Sequence, residues 1–528
     1  MHYLGEIPQE ILENIAFFTA TADFLGPPVG VIGLLTANHR IHSALSISSN
    51  PHLWTRVFAY KFDLQSTIRR LGAGRISAVA TADELKRRCI LLKRIRSHPD
   101  TLTRTYELPT THVEELNAIL WMAYLMMLEN EGKNEAQLCE YARLDLWLRE
   151  YLFHALGASL IRWSVRMDMW PPTSNERNSL AMWLFWFLLK PEDYMVDDVT
   201  FQEAASVLKI IALGAHMYPL CFPSWRDFTP TCHAKEVSVV SHFSLNLRIV
   251  PPRISAPAIL AYLTLTNRLP VSLDTLNYTK PAEPTLPSAV VARDSKEWDA
   301  EWARGLYLGS HTAKPLGNEL SGAFLPGSLE GIWEGVFTYT EFTSYAALLS
   351  GASPGILQRS HIAQHPHLWR VREYHLYDEE DEDEDFNVKR KADVAPLSAG
   401  NPLRGYIPSR VDMQEVPDGL EFTEPGRSEP ITYWRCRPDG PKRKVKDVFI
   451  TGEGHSSWGQ FKLIGRVRPC DGFISLSKEY VDSGRGKWVY RAYIVGNANG
   501  NLSGRWRDTL SPPDVLGYEG CFIMSRRR

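Results

Sequence analysis

Apolar residues recur at helical spacing through the first 218 positions and at alternating spacing through roughly the last 200, so period alone divides the chain into a helical half and a strand-rich half. Within residues 1–62, Ile7, Ile11, Leu12 and Ile15 share one helical face, with Pro8 where a first-turn proline is tolerated. The run Asp23-Phe24-Leu25-Gly26-Pro27-Pro28-Val29-Gly30 breaks that helix, and Leu34, Leu35 and Arg40 belong to the next. Asn50 then caps a third, which has Pro51 at its first position and Leu53, Trp54, Val57 and Phe58 at helical spacing.

Residues 63–104 continue as a basic helical extension. From Lys61 to Arg104 there are eleven Lys and Arg against four Asp and Glu, and Thr81 with Glu84 reads as a capping box that starts a helix through Lys86-Arg87-Arg88. That excess predicts a solvated basic face or a basic docking surface. Residues 105–218 read as a helical spacer. Its most apolar run, Leu180 to Leu189, is about half of what spans a bilayer and so predicts a buried helix.

Prolines thicken between 219 and 325 (Pro251-Pro252, Pro281, Pro284, Pro287), which predicts an irregular bridge. Residues 326–528 alternate in short runs such as Lys487-Trp488-Val489-Tyr490-Arg491-Ala492-Tyr493-Ile494-Val495. The turns Asp482 to Gly486 and Gly496 to Asn501 join consecutive antiparallel hairpins. The fold class is therefore α+β, with N-terminal helices followed by a C-terminal antiparallel β-barrel or sandwich. Eight consecutive acids, Asp378 to Asp385, with Lys389-Arg390-Lys391 and a Pro/Gly-rich stretch behind them, predict a disordered insertion over about 377–430. The tetrapeptide Pro51-His52-Leu53-Trp54 returns as Pro366-His367-Leu368-Trp369, but the flanks differ and it is not a repeat.

A net charge of −3 with 23% charged residues implies no global attraction to nucleic acid or membrane. Seven scattered cysteines without a Cys-x-x-Cys pair suit reduced thiols, and the first residues lack a signal-peptide pattern, so a cytoplasmic or nuclear location is expected. Candidate chemistry is sparse. Gly351-Ala352-Ser353-Pro354-Gly355 fits a nucleophile elbow in outline, yet Pro354 has no N–H for an oxyanion hole, and a turn is expected. His361, His365 and His367 do not complete a zinc pattern, nor do Cys221, Cys232 and His233, and Pro366 disfavours a helix that would align the histidines. We therefore expect no catalytic residues, no metal and no cofactor.

Ile7-Pro8-Gln9-Glu10-Ile11-Leu12-Glu13-Asn14-Ile15, then Leu34 to Arg40, then Asn50-Pro51-His52-Leu53-Trp54, resemble the F-box motif in order and spacing. The extension through Arg69-Arg70-Leu71-Gly72 and Glu84 to Arg88, with Gly504-Arg505-Trp506-Arg507-Asp508 and Gly517-Tyr518-Glu519-Gly520, resembles the fungal (basidiomycete) F-box group. Gly331-Ile332-Trp333-Glu334-Gly335 resembles the opening of the lipocalin-like barrel in the cyclin-D-binding animal F-box protein. The resemblance implies a non-catalytic substrate adaptor of a Skp1-cullin-F-box ubiquitin ligase, with a Skp1-type partner, a cullin reached through it, and a protein client. Rival expectations are a Skp1-binding scaffold without a degradation client, and a hydrolase or small-ligand carrier using a barrel cavity. Pro8, Ile11, Leu12, Leu53 and Trp54 are the expected Skp1 contacts. His455 and Trp458, in what reads as a glycine-rich loop, and Arg505, Trp506 and Arg507 are the expected client contacts, because indoles and guanidiniums dominate binding hot spots.

Overall fold

A computed structural model describes residues 7–102, 110–170, 175–230, 237–267, 290–310, 320–378, 394–437, 443–482, 484–497 and 500–527. The α+β reading holds: helices fill the N-terminal half and an antiparallel barrel the C-terminal half. The first module comprises α1 (Gln9–Ala20), the short α2 (Ile32–Leu35), α3 (His39–Leu45) and α4 (Pro51–Lys61). The second expected helix is thus split in two, with Asn38 capping α3 by accepting from Ile41 N. Asn50 caps α4 as expected, its Oδ1 accepting from Leu53 N at 3.1 Å, and its Nδ2 donates to Glu13 Oε1 at 2.7 Å, which locks α4 to α1.

The Gly-Pro-Pro loop is held from inside. The Lys61 side chain, fully buried, donates to the carbonyls of Asp23, Phe24 and Gly26, while Gln137 on the spacer accepts from Gly26 N and donates to Phe24 O. One cation satisfies three carbonyls that the broken helix leaves unpaired.

The basic excess is also partly internal, contrary to the expected solvated or docking face. Arg88 is buried between Glu84 and Glu129, Arg70 pairs with Asp299, and Arg94 with Asp100. Thr81 and Glu84 lie inside the helix Ala78–Ser97, which Ser77 caps instead. The run Leu180 to Leu189 forms the buried helix Glu176–Leu188 and the residue after it, and among the described residues no helix is long and apolar enough to cross a membrane.

Among the described residues, the expected irregular bridge contains several regular elements. The hairpin β1 (Ser238–His242) and β2 (Leu245–Ile249) is followed by the buried helix Ser255–Asn267 and the helix Asp299–Ser310. Helix Ser255–Asn267 reads as continuous core, with no polar face to mark it as an element. Pro281, Pro284 and Pro287 lie outside the described residues.

Eight strands close the barrel in the order β3 (Gly331–Thr340), β13 (Glu519–Arg526), β12 (Asn501–Asp508), β11 (Lys487–Val495), β10 (Ile474–Tyr480), β9 (Gly459–Val467), β8 (Val445–Ser456) and β4 (Ile362–Tyr377), with β4 pairing back to β3. The choice left open between barrel and sandwich is settled as a barrel. Beyond the closed ring, β7 (Ile431–Arg435), β6 (Gly419–Thr423) and β5 (Asp412–Val416) extend from β4 as a flap. The flap overturns disorder for the described part of 377–430: Leu397, Tyr406, Leu420 and Phe422 are buried there, whereas residues 379–393, with most of the acids and the Lys-Arg-Lys run, lie outside the described residues.

Inside the ring, registered pairs place Trp333, Phe337, Trp369, Phe461, Tyr490 and Phe522 on one face, and glycines directly across from Phe461 and Trp506 on the neighbouring strands make room for their rings. A Cβ at Gly520 would come within 2.6 Å of the Trp506 ring, and one at Gly454 within 2.7 Å of Phe461. The interior is a packed aromatic core. On the outside, the helical body packs against β12 and β13, where Ser503 Oγ donates to Ala256 O at 2.8 Å, so barrel and helices share one core.

Candidate functional site

Two exposed apolar surfaces stand out, one at each end of the chain. On α1, Leu12, Ala16 and Ala20 face inward, which leaves Ile11, Ile15 and Phe18, at i, i+4 and i+7, on the opposite face. They are 53%, 38% and 70% exposed, and Val29 and Ile32, on the turn that packs against α1, add 51% and 53%. Gly30 brings this turn close: a Cβ there would sit 2.4 Å from Thr19 O. Five large apolar side chains are thus exposed on this one short module.

This arrangement divides the expected Skp1 contacts. Pro8 and Ile11 are exposed. Leu12, Leu53 and Trp54 are buried, and Trp54 Nε1 donates to Leu45 O at 2.8 Å, so these three hold the module together and present nothing to a partner. Ile15 belongs to the apolar pattern of the sequence, and Phe18 lies outside it. The amphipathic reading assumes that the apolar face is the inner one, whereas α1 carries apolar residues on two faces.

The second surface is the mouth of the barrel, where the turns β8–β9 and β10–β11, the loop 509–518 and the helix Phe342–Leu349 converge. Its rim is a chain of ring contacts: Trp458 packs on Phe337 and His365 at 5.1 Å each and on Tyr339 at 6.0 Å. Tyr339 then meets Tyr518 at 5.8 Å, and Tyr518 meets Phe342 at 5.8 Å and Trp506 at 5.3 Å. Phe342 is 62% exposed, and Val481, Leu510, Val515 and Leu516 project from the surrounding loops.

Of the expected client contacts, Trp458 lies half-buried on this rim. His455 is on strand β8, not in a loop, paired with Leu368; it points outward and lines a groove of about 630 Å³ with Val336, Pro366, Leu368, Ser457 and Ile523. Trp506 is buried, donating to Thr338 O at 3.1 Å beneath the rim. Arg505 and Arg507 are corrected outright. Arg505 is buried against the helical body, donating to the carbonyls of Tyr218, Ile211 and Ala212, so it caps the C-terminal end of the helix Asp198–Leu213. Arg507 donates to Asp508 O, Ser511 O, Pro512 O and Val515 O and thereby shapes the loop 509–518. Both guanidiniums, expected to contact a client, instead meet the helical body and their own loop.

No family model, curated protein or solved structure matches this chain. The assignment of a role rests on its own surfaces.

Behind the rim, the barrel interior holds one ammonium. Lys478 Nζ lies 4.0 Å from the centre of the Phe461 ring, with Tyr480 at 4.7 Å, Tyr490 at 5.1 Å and Phe337 at 5.5 Å, and it donates to Tyr490 Oη at 3.5 Å. Burial pushes its pKa down to about 7, against which the ring faces favour the charged form. His367, buried beside it and held well below its usual pKa by burial and then by Lys478, has no hydrogen-bond partner on either ring nitrogen among the described residues. Because the folded-state pKa of Lys478 lies below the unfolded value of 10.5, the unfolded chain binds more protons between about pH 7 and 10.5, and stability rises with pH across that window. Lys478→Met is expected to stabilise the protein by about 1–4 kcal/mol at pH 7 and to flatten this rise. Urea unfolding of both proteins at pH 7 and pH 10 measures it, and a variant less stable than the parent at pH 7 contradicts it.

The elbow-like Gly351 to Gly355 is the turn between helices Phe342–Leu349 and Gly355–Arg359, as expected. His365 and His367 lie on strand β4, and Cys232 and His233 lie outside the described residues.

Proposed function

We propose that this chain is a non-catalytic substrate adaptor of a Skp1-cullin-F-box ubiquitin ligase, working in the cytoplasm or nucleus. The observation that carries the reading is the exposed apolar face Ile11, Ile15, Phe18, Val29 and Ile32 on a capped helical module that has the F-box order of elements. An exposed row of apolar side chains on a helix is what a partner helix covers in helix-to-helix docking. The shared core between helices and barrel supports the second requirement, a rigid spacer that holds a client at fixed distance from the ligase and raises its effective concentration. The aromatic rim of the barrel is the client surface. A small-ligand carrier finds less support, since large rings occupy the barrel interior.

Reconstitution with a purified Skp1-type subunit and a cullin, followed by recovery of ubiquitinated proteins, tests the reading. A stable ternary complex is expected, and failure to bind the Skp1-type subunit would sink it. Binding of that subunit without a cullin or a ubiquitinated client would favour the scaffold instead. Trp458→Ala with Phe342→Ala, both on the rim, is expected to lose client recovery at least tenfold while keeping the Skp1-type subunit; an unchanged client profile would place the client surface elsewhere.

A further inference from the structure

At the barrel end opposite the aromatic rim, strand β4 places Glu373 and His375 two residues apart, hence on one face, and the chain leaving β7 places Cys436 beside them. The position of Cys436 is set by its own backbone, whose N–H donates to Glu373 O at 2.9 Å. A carboxylate oxygen of Glu373, a ring nitrogen of His375 and Cys436 Sγ all lie within 4.8 Å of one another, and among the described residues this is the one such grouping of three. Glu373 and His375 are buried and Cys436 is half-buried.

We propose that Glu373, His375 and Cys436 form a binding site for a divalent transition-metal ion of the zinc class, which fastens the β5–β7 flap to the barrel. Imidazole, thiolate and carboxylate are the three side-chain donors that zinc sites draw on, and three protein donors leave one coordination position open. The surroundings suit a cation. Glu373 Oε2 accepts from Gly327 N at 2.7 Å and Oε1 accepts from Leu329 N, so the carboxylate is already oriented, with Oε2 2.9 Å from His375 Nε2. Tyr377 Oη lies 3.4 Å from His375 Nδ1, where it can take the Nδ1 proton of an imidazole that binds metal through Nε2. The neighbouring Glu330 carboxylate is paired with Arg435, which leaves Glu373 as the oxygen donor. Zinc-class metals bind cysteine as the thiolate, so a metal displaces the thiol proton. One M–S bond forms, one S–H bond breaks and one proton leaves to solvent, and no oxidant or reductant is needed.

The site is independent of the ligase reading, and its test needs no partner. The full chain, purified reduced and metal-free, is titrated with Co²⁺ while thiolate-to-cobalt absorption is followed, and Zn²⁺ is then added. One Co²⁺ per chain, displaced by Zn²⁺ and bound more tightly as the pH rises from 6 to 8, is the expected result. Cys436→Ser should abolish the absorption band and His375→Gln should weaken binding at least tenfold, with Cys89→Ser unchanged. If Cys436→Ser does not fold, His375→Gln decides. No metal uptake by the parent at micromolar concentration, or a band unaffected by both variants, overturns the proposal and leaves a hydrogen-bonded cluster only.

Discussion

Ile11→Asp combined with Phe18→Asp is expected to abolish capture of the Skp1-type subunit while leaving the melting temperature within a few degrees of the parent. Both side chains stand on the outer face of α1 and are more than half exposed, so a carboxylate there stays in water when the chain is alone. It becomes costly only when a partner covers it. Apolar anchors at the centre of an interface contribute about 2 kcal/mol or more each, so losing two weakens Kd by roughly a thousandfold. Leu12→Asp, one residue away, should behave oppositely. Its side chain is buried between α1 and the rest of the module, so the charge must be desolvated within the fold and the module unfolds, taking partner binding with it. Skp1 binding measured by calorimetry beside circular dichroism separates the two effects. Full binding by the folded Ile11→Asp, Phe18→Asp protein would remove this face as the docking surface.

Arg468→Ala should be the most damaging single change at the junction of barrel and helical body, about 3–5 kcal/mol. Arg468 and Asp471 are both buried and joined twice, Nε to Oδ1 at 2.8 Å and Nη2 to Oδ2 at 2.6 Å. The remaining donors reach Ser224 O at 2.6 Å, Asp227 O at 3.1 Å and Pro223 O at 3.2 Å, so one guanidinium holds the segment that enters the junction. Burial alone would raise the Asp471 carboxyl, but Arg468 outweighs it and keeps the group below its usual pKa. Truncation leaves that carboxylate and three carbonyls buried without their partner. The pair itself need not be net stabilising; Arg468→Met with Asp471→Asn is expected to recover part of the loss. Urea midpoints of the three proteins measure both statements, and a single variant within 1 kcal/mol of the parent would show that the junction is held elsewhere.

The tetrapeptide Pro-His-Leu-Trp marks the limit of local reading. At 51–54 it opens helix α4, because Asn50 caps the first turn and Val57 and Phe58 continue the period of 3.6. At 366–369 the same residues lie in strand β4, where Trp369 faces the barrel core and Leu368 faces out, a period of 2 imposed by pairing with β3 and β8. The same words take the structure their neighbours permit.

Caps, prolines, glycine turns and the change of period are short-range features, so the amino-acid order alone carried the helical module, the buried helix Glu176–Leu188, the hairpins and the α+β class. Long-range packing alone assigned the rest. Closure of β3 on β4 made the sheet a barrel, and helix Ser255–Asn267 emerged from a stretch without polar periodicity because other elements bury it on every side. Arg505 and Arg507 went from expected anchors to internal caps because the helical body and the loop 509–518 supply carbonyls that no local pattern announces. On α1, Ile11 and Leu12 are adjacent and alike in chemistry; which faces solvent depends on where α3 and α4 stand, and only the folded module fixes that.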